Sequence, residues 1–388
     1  MAKPNIQALI SRGVSEIIVQ KDLEKLLLCG KKLRIKHGVD PTKPDLHLGH
    51  AVIYRKLRQF QDLGHTIIFL VGDFTARFGD PTDKIKSRSL HSKEEVEKSA
   101  LTYLEQVGKI LDKKKLEIRR NSEWYEKMRA EELLKLMSHF TVARMLERDM
   151  FTKRLKGGEE IGLHEPVYPV LQAYDSVMLK SDLTVIGNDQ LFNELQARPL
   201  QEFFGQKPQQ VLAMKLLVGL DGRQKMSKSL GNYIAVKDSA KEIFGKVMSL
   251  PDCAMATYAE LLTDLDEQEF IDPLENPKNL KIKLAKAIVT EFHSMSEAEK
   301  VAEEFNKVHK QKAIPEDIPE IKISTKTNQS VAKVLAEAFG QSVSAIRRDI
   351  EQGGVSYEGK VIKDPNERAK LGLYKKGKRH FVKLKKKD

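Results

Sequence analysis

Residues 31–74 read KKLRIKHGVDPTKPDLHLGHAVIYRKLRQFQDLGHTIIFLVGDF, and this stretch decides the fold. Segment 31–42 alternates and ends in glycine, aspartate and proline, which indicates a strand that runs into a turn. Segment 66–74 is a short, unbroken apolar run, which is the form of a buried parallel strand. The sequence therefore predicts two strands of one sheet.

The segment between these strands is predicted to be a helix that ends near Gly64. Apolar side chains recur there at intervals of three or four, which is the spacing of one helix face. They are Val52 or Ile53, Leu57, Phe60 and Leu63.

Strand, helix and strand in this order form a βαβ unit and predict the α/β class with a parallel sheet. Residues 182–190, DLTVIGNDQ, indicate a further strand. Ligands of such sheets bind at the carboxyl ends of the strands. Residues 38–50, GVDPTKPDLHLGH, lie at that position, so we expect a binding site there.

Composition indicates a globular chain of more than one domain. Its 388 residues suggest two or three domains, and 40% are hydrophobic while 31% are charged. Its longest apolar runs are too short for a membrane helix, and residues 1–16 lack a secretory-signal pattern. The two cysteines, Cys29 and Cys253, cannot build a disulfide framework or a cysteine zinc site. We therefore expect a cytoplasmic protein that does not bind membranes.

The formal charge of +12 is concentrated near the carboxyl terminus. Residues 331–388 contain 15 Lys/Arg and 7 Asp/Glu, a net charge of +8. A basic terminal module suits a polyanionic partner such as nucleic acid. A solubilising lysine tail would give the same charge, and charge alone leaves both readings open.

Two histidines, His47 and His50, stand beside Gly49 at the predicted start of the helix. A helix N-terminus attracts phosphate through unpaired N–H groups and a partial positive charge. Imidazoles can donate to phosphate oxygens, and glycine lets a base or backbone approach closely. Two ordinary surface histidines would show the same pattern, so alone this motif only suggests phosphate binding.

Residues 222–233 read GRQKMSKSLGNY and indicate a glycine-flanked loop. Lys225 and Lys228 surround Met226 and Ser227 there. Two ammonium groups and nearby hydroxyls suit the charge of a departing pyrophosphate. A solvated lysine loop is the alternative.

Taken together, His-x-Gly-His and the downstream Lys-Met-Ser-Lys-Ser resemble the class I aminoacyl-tRNA synthetases. The resemblance implies a Rossmann-like catalytic domain that uses ATP, with Mg²⁺ carried on the ATP and no metal site in the protein. It assigns catalysis to Thr42, His47, His50, Lys225 and Lys228. It assigns ATP binding to Asp40, Gly49, Gly187, Asp189, Met226 and Ser227.

Residues 168–175, YPVLQAYD, are similar to the substrate helix of the tyrosyl-tRNA synthetase family. The resemblance implies that Asp175 meets the phenol of tyrosine, and that Tyr168 and Gln172 hold its amino group. The full implied tyrosine-binding set is Thr75, Asp80, Asn121, Tyr168, Gln172, Asp175 and Gln190. Without the flanking motifs, an amphipathic helix with one polar face would be the preferred explanation of this segment.

The chain departs from the family pattern at several positions. Lys36 stands where many members have a tyrosine that contacts the substrate phenol, although a bacterial subgroup also lacks it. Ile186 and Asn188 replace a usual glycine and Ser/Thr, and Asp83 replaces a usual small residue. The resemblance therefore leaves the second phenol contact unassigned.

Domain boundaries follow from composition and resemblance. We expect a catalytic domain at 1–232 with a helical insertion at about 123–160, and a helical anticodon-binding domain at 233–312. A linker at 313–328 precedes a small α+β module at 329–388 that resembles the S4 RNA-binding domain. In that module Arg347 and Arg348 are implied tRNA ligands, since arginine forks suit phosphate.

The function implied is tyrosine activation with ATP and transfer of tyrosine to tRNA(Tyr), by a homodimer. Tryptophan as substrate is one alternative, which Asp175 disfavours. A catalytically inactive RNA-binding protein with an S4-like tail is a second, which the intact lysine motif disfavours. A small nucleotidyltransferase is a third, but such enzymes lack an RNA-binding tail.

Overall fold

The structure is a computed structural model that describes residues 6–41, 45–80, 92–271, 276–310, 318–323, 329–377 and 380–386. Thr42 and Asp83 lie outside these ranges. The chain divides into two compact units, Met1–Val301 and Ala302–Asp388. No helix of the described residues is both long and apolar enough to span a membrane.

The first unit is built on a six-stranded sheet in the order β1-β6-β5-β2-β3-β4. Every neighbouring pair is parallel except β1 and β6. The strands are β1 (Val14–Ile18), β2 (Arg34–Val39), β3 (Thr66–Val71), β4 (Leu116–Arg120), β5 (Leu183–Gly187) and β6 (Gln210–Met214). The predicted α/β class with a parallel sheet is confirmed.

Helices surround this sheet and continue beyond it, and the last of them contains the boundary between the units. They are α1 (Ile6–Ser11), α2 (Gln20–Leu28), α3 (Leu48–Asp62), α4 (Lys93–Val107), α5 (Ser122–Tyr125), α6 (Ala130–Met137), α7 (Val142–Leu146), α8 (Asp149–Lys156), α9 (Tyr168–Leu179), α10 (Leu191–Leu195), α11 (Ala197–Phe203), α12 (Ala240–Met248), α13 (Met255–Leu262), α14 (Gln268–Ile271), α15 (Pro277–Phe292) and α16 (Met295–Lys310).

The predicted βαβ unit is β2-α3-β3, and its two strands pair in parallel. Val52, Leu57 and Phe60 of α3 are buried, as their spacing predicts. Leu63 was wrongly placed on that face: it follows the last helical residue and is 37% exposed.

The sheet has its topological switch point between β2 and β5. From β2 the chain proceeds outward to β3 and β4, whereas β5 leads to β6 on the other side. Loops after β2 and β5 consequently turn to opposite faces and leave a crevice at the carboxyl ends. This crevice is where the predicted site residues meet.

Helices after residue 239 pack against one another, and α13 also packs against α3. α12 packs against α15, and the predicted face of α15, Leu284, Ile288 and Phe292, is buried. The periodicity of that segment was therefore interpreted correctly.

The second unit is a small sheet covered by two helices. Its elements are β7 (Glu320–Ile323), α17 (Val331–Phe339), α18 (Val343–Glu351), β8 (Val355–Tyr357), β9 (Lys360–Val361), β10 (Gly372–Lys376) and β11 (His380–Lys386). β8 and β9 form the predicted hairpin, and α18 leaves Arg347 and Arg348 exposed. β7, in the stretch predicted to be a linker, is a strand because it pairs in parallel with β11.

Candidate active site

A cavity of about 310 Å³ opens at the carboxyl ends of the parallel strands in the first unit. Most of the residues singled out from the sequence line it. They are Asp40, His47, Gly49, His50, Thr75, Asp80, Tyr168, Gln172, Asp175, Gly187, Asp189, Gln190, Lys225, Met226 and Ser227. Two others lie beside the wall: Asn121 donates to Asp175 at 3.5 Å, and the Lys228 ammonium lies 5.9 Å from the Tyr103 ring centroid.

One side of the cavity, here called the histidine end, consists of His47, His50, Lys225 and Lys228. His50 Nδ1 accepts a hydrogen bond from the backbone N–H of His47 at 3.2 Å, and the ring centroids are 3.9 Å apart. A Cβ on Gly49 would lie 2.9 Å from His47 Nδ1. Glycine is therefore required at this position to let the His47 ring fold over the first turn of α3.

Both imidazoles are neutral at pH 7. Burial, together with the charges of Lys228 and Lys225, lowers the pKa of His47 to about 3. Burial and the neighbouring His47 lower the pKa of His50 well below its usual value. The histidines can offer N–H donors, while the lysines supply the positive charge at this end.

The lysine loop is anchored by Asn232. Its Oδ1 accepts from the backbone N–H of Ser227 at 2.8 Å, and its Nδ2 donates to the carbonyl of Lys225 at 3.2 Å. Met226 is tied through its N–H to the carbonyl of Leu217 at 2.8 Å. These bonds place the Lys225 ammonium 3.3 Å from the Asp189 carboxylate.

The opposite side, here called the carboxylate end, consists of Asp175, Lys36, Ser176 and Glu194. Asp175 is 4% exposed, and its Oδ1 accepts from the indole Nε1 of Trp124 at 3.0 Å. Burial raises the pKa of the Asp175 carboxyl to about 7, while Lys36 and the nearby donors act in the opposite direction. The carboxylate is thus aimed into the cavity by fixed donors behind it.

Lys36 and Glu194 form a buried ion pair with 2.9 Å between nitrogen and oxygen, and their side chains are 1% and 2% exposed. The Lys36 ammonium also donates to Ser176 Oγ at 2.6 Å. The Glu194 carboxylate accepts from Gln172 at 2.8 Å and from Gln209 at 2.9 Å. The unusual lysine is therefore accommodated by a carboxylate brought from α10.

Asp40 organises the floor of the cavity between the two ends. Its carboxylate accepts from Thr75 Oγ1 and from the Tyr168 hydroxyl, each at 2.8 Å. Burial, followed by Asp40 itself, raises the pKa of Tyr168 well above its usual value, so its hydroxyl stays protonated. A Cβ on Gly72 would lie 2.1 Å from Asp40 Oδ1, so only glycine leaves room for this arrangement.

A chain of side-chain amides continues from Gln172. Asn193 Nδ2 lies 3.0 Å from Gln172 Oε1 and 3.1 Å from Gln190 Oε1. Gln190 in turn donates to Asp80 at 2.8 Å, and Arg148 lies 3.5 Å from the same carboxylate. The predicted residues are therefore joined through partners that the sequence reading did not single out.

The structure describes both departures from the family pattern near β5, Ile186 and Asn188. Ile186 is 4% exposed and packs with Val211 and Ala213 of β6. Asn188 begins a single 3₁₀ turn that ends at Gln190. Asp189 and Gly187 still line the cavity with these substitutions.

Sequence reasoning missed Trp124, Asn232, Glu194 and Gly72. Trp124 is the only tryptophan of the chain and lies three residues after the predicted site residue Asn121. Gly72 lies in the opening stretch 31–74, three residues before the predicted site residue Thr75. Nothing in the sequence around Glu194 marks it, since its partner Lys36 is far away along the chain.

Comparisons with known proteins agree with this geometry. A family model for tRNA synthetases class I (W and Y) matches residues 29–310, and one for the S4 domain matches residues 330–373. A tyrosine–tRNA ligase of Dehalococcoides mccartyi is 48% identical over 391 residues, covering 98% of this chain and 99% of the relative. One of Thermotoga maritima is 46% identical and covers 92% and 90%.

Solved structures agree in fold. A C-terminally truncated mitochondrial tyrosyl-tRNA synthetase of Aspergillus nidulans superposes with a TM-score of 0.64 at 22% identity, covering 78% of this chain and 93% of that one. The tyrosyl-tRNA synthetase of Archaeoglobus fulgidus, solved with L-tyrosine, gives 0.61 at 24% identity and covers 76% and 98%. With its two sequence motifs gathered at a parallel sheet and relatives matched over almost its whole length, the chain belongs to the tyrosine–tRNA ligases, a family of class I tRNA synthetases.

Proposed function

We propose that this chain joins tyrosine to ATP, giving tyrosyl-adenylate and pyrophosphate, and then transfers the tyrosyl group to the 3′ end of tRNA(Tyr). One observation carries the proposal: a single cavity has a buried carboxylate at one end and neutral histidines with lysines at the other. The first end suits a phenol, and the second suits a triphosphate.

The first step needs no protein nucleophile or general base. The substrate carboxylate is ionised near pH 7 and attacks the α-phosphorus, while the bond to the leaving pyrophosphate breaks. Acceleration then depends on alignment and on cations near the developing charge. We assign this work to His47, His50, Lys225 and Lys228 together with Thr42, with MgATP as the substrate.

Tyrosine selection is assigned to the carboxylate end. Asp175 accepts the phenol hydrogen, and phenylalanine would leave this buried acceptor unpaired. Asp80, Tyr168 and Gln172 surround the place proposed for the substrate amino group. Of the remaining residues assigned to tyrosine binding, Asn121 donates to Asp175 and Gln190 donates to Asp80. Thr75 donates to Asp40, which also accepts from the Tyr168 hydroxyl.

ATP is assigned to the floor and the lysine loop. Gly187 ends β5, Asp189 follows it, and both suit the ribose, while Gly49 keeps the entrance of α3 clear for adenine. Asp40, Met226 and Ser227 complete the proposed ATP-binding set.

Transfer RNA is assigned to the helices after residue 232 and to the second unit, where Arg347 and Arg348 are exposed. Two adjacent, exposed arginines suit RNA phosphates. We further propose a cytoplasmic homodimer, in line with the family.

Amino-acid-dependent exchange of pyrophosphate into ATP tests the first step. Tyrosine should support exchange, and tryptophan and phenylalanine should not. Exchange with tryptophan alone would overturn the substrate assignment, and exchange with none would overturn the enzyme assignment.

Truncation after residue 310 tests the second unit. This cut is preferable to one after residue 328, because β7 belongs to the same sheet as β11. Pyrophosphate exchange should persist while tRNA charging falls. Unchanged charging by the truncated chain would contradict a role for the second unit.

A further inference from the structure

Lys36 presents a cation to the cavity from its most enclosed side. Its side chain is 1% exposed, yet it lines the cavity together with Asp175 and Gln172. Burial of an ammonium is costly unless its charge and its hydrogens are matched. Glu194 supplies the opposite charge, and the ammonium hydrogens need acceptors as well.

Two of the three ammonium hydrogens have acceptors. Ser176 Oγ lies at 2.6 Å and Glu194 Oε1 at 2.9 Å, and among the described residues these are the two acceptors recorded for Lys36 Nζ. An ammonium has three donors and no acceptor. One N–H is therefore left for a molecule in the cavity.

The ammonium cannot move away from this position. Glu194 is held by amide donors of Gln172 and Gln209, and Ser176 belongs to α9. Asp175 is the preceding residue of the same helix, and it experiences Lys36 as an opposing charge. A fixed acceptor and a fixed donor therefore lie at the same end of the cavity.

We propose that Lys36 is a specificity-determining residue that donates its third N–H to the phenolic oxygen of tyrosine, while Asp175 accepts the phenolic hydrogen. The inference rests on the proposed function. A phenol has one hydrogen to donate and lone pairs that accept, so it satisfies both groups at once. Phenylalanine satisfies neither of them.

Replacing the phenolic oxygen of tyrosine by a 4-amino group tests whether the substrate atom at this position must accept a hydrogen bond. 4-Aminophenylalanine has N–H groups for Asp175, but its nitrogen lone pair is delocalised into the ring and accepts poorly. The wild-type protein should therefore prefer tyrosine over 4-aminophenylalanine by roughly tenfold or more in kcat/KM for pyrophosphate exchange. Equal use of the two substrates would overturn the proposal without any variant.

The variant K36M/E194M tests the residue itself. Both residues are replaced because Lys36→Met alone would leave the Glu194 carboxylate buried without its counterion. The preference for tyrosine over phenylalanine should fall by roughly ten- to a hundredfold, and the preference over 4-aminophenylalanine should fall with it. A purely structural ion pair would lower kcat/KM for all three substrates and leave these ratios unchanged, which would overturn the proposal.

Lys56 provides a matched control. It is another buried lysine, 4% exposed, and donates to the carbonyl of Leu9 at 2.6 Å, away from the cavity wall. K56M should leave both substrate ratios at wild-type values, and a change there would show that loss of any buried lysine alters selectivity. If the wild-type protein shows no tyrosine-dependent pyrophosphate exchange, the proposed function is overturned, and this inference falls with it.

Discussion

The two ends of the cavity are built on different principles. At the carboxylate end, Asp175 and Lys36 are almost fully buried, and their partners come from α5, from Asn121 just before it, and from α9 and α10. At the histidine end, Lys225 is 34% exposed and stands on a loop anchored by Asn232. One end is enclosed by buried, hydrogen-bonded side chains, whereas the other combines imidazoles with partly exposed cations.

The difference follows from the task proposed for each end. Selecting a phenol requires buried groups that cannot adapt to a molecule lacking the hydroxyl, because adaptation would remove the penalty. Stabilising charge that develops on a leaving pyrophosphate requires cations that meet the triphosphate as it reacts. Variants at the two ends should consequently affect different kinetic constants.

The largest effect is expected from Lys228→Ala. Loss of one cation at the reacting phosphates should lower the rate of adenylate formation by roughly a hundred- to a thousandfold. The KM for tyrosine should change little, because the carboxylate end is untouched. Single-turnover adenylate formation and exchange kinetics measure the two quantities, and Lys241→Ala, an exposed lysine of α12, is the control.

A large rise in the KM for tyrosine with an unchanged rate would contradict that separation of the two ends.

Asp175→Asn should act on selection. The amide cannot accept the phenol hydrogen as strongly as the carboxylate does, so kcat/KM for tyrosine should fall by roughly a hundredfold. Phenylalanine has no hydroxyl to donate to residue 175, so its kcat/KM with the variant should stay within about threefold of its value with the wild type. Parallel losses for both amino acids would show that Asp175 supports the cavity and does not select.

Asn232→Ala should have a smaller effect, at the histidine end. Removing three hydrogen bonds that hold the loop, to Ser227, Lys225 and Asp221, leaves both lysines present but less well placed. The rate of adenylate formation should fall by roughly tenfold, with the preference for tyrosine over phenylalanine retained. A changed preference would mean that the loop contributes to selection.

The smallest effect is on stability and its pH dependence. The folded-state pKa of Asp175 is raised to about 7, so the folded protein holds a proton that the unfolded chain releases near pH 4. Wild-type stability should therefore fall relative to Asp175→Asn as pH rises from about 4 to about 7, and stay level above. Urea unfolding at pH 5 and pH 8 should show the difference in unfolding free energy between the two proteins changing by about 3 kcal/mol in favour of the variant.

An equal difference in unfolding free energy between wild type and variant at these two pH values would contradict a raised pKa for Asp175.

Much of this molecule could be predicted from local patterns. The βαβ unit of residues 31–74 followed from periodicity, and only Leu63 was misplaced. Motif residues such as His47, His50 and Lys225 were found because their spacing is short and fixed. In the stretch 313–328, β7 was missed, because it is a strand only through its pairing with β11.

The sequence by itself determined the class of fold, the family and most of the residues around the cavity, because periodicity and motifs are properties of neighbouring residues. Only the tertiary structure decided that Lys36 pairs with Glu194 and Ser176, the latter 140 positions away. A buried charge must find its counterion wherever the fold supplies one, and no local pattern records that choice. The way this chain accommodates its unusual lysine was therefore settled by packing between β2, α9 and α10.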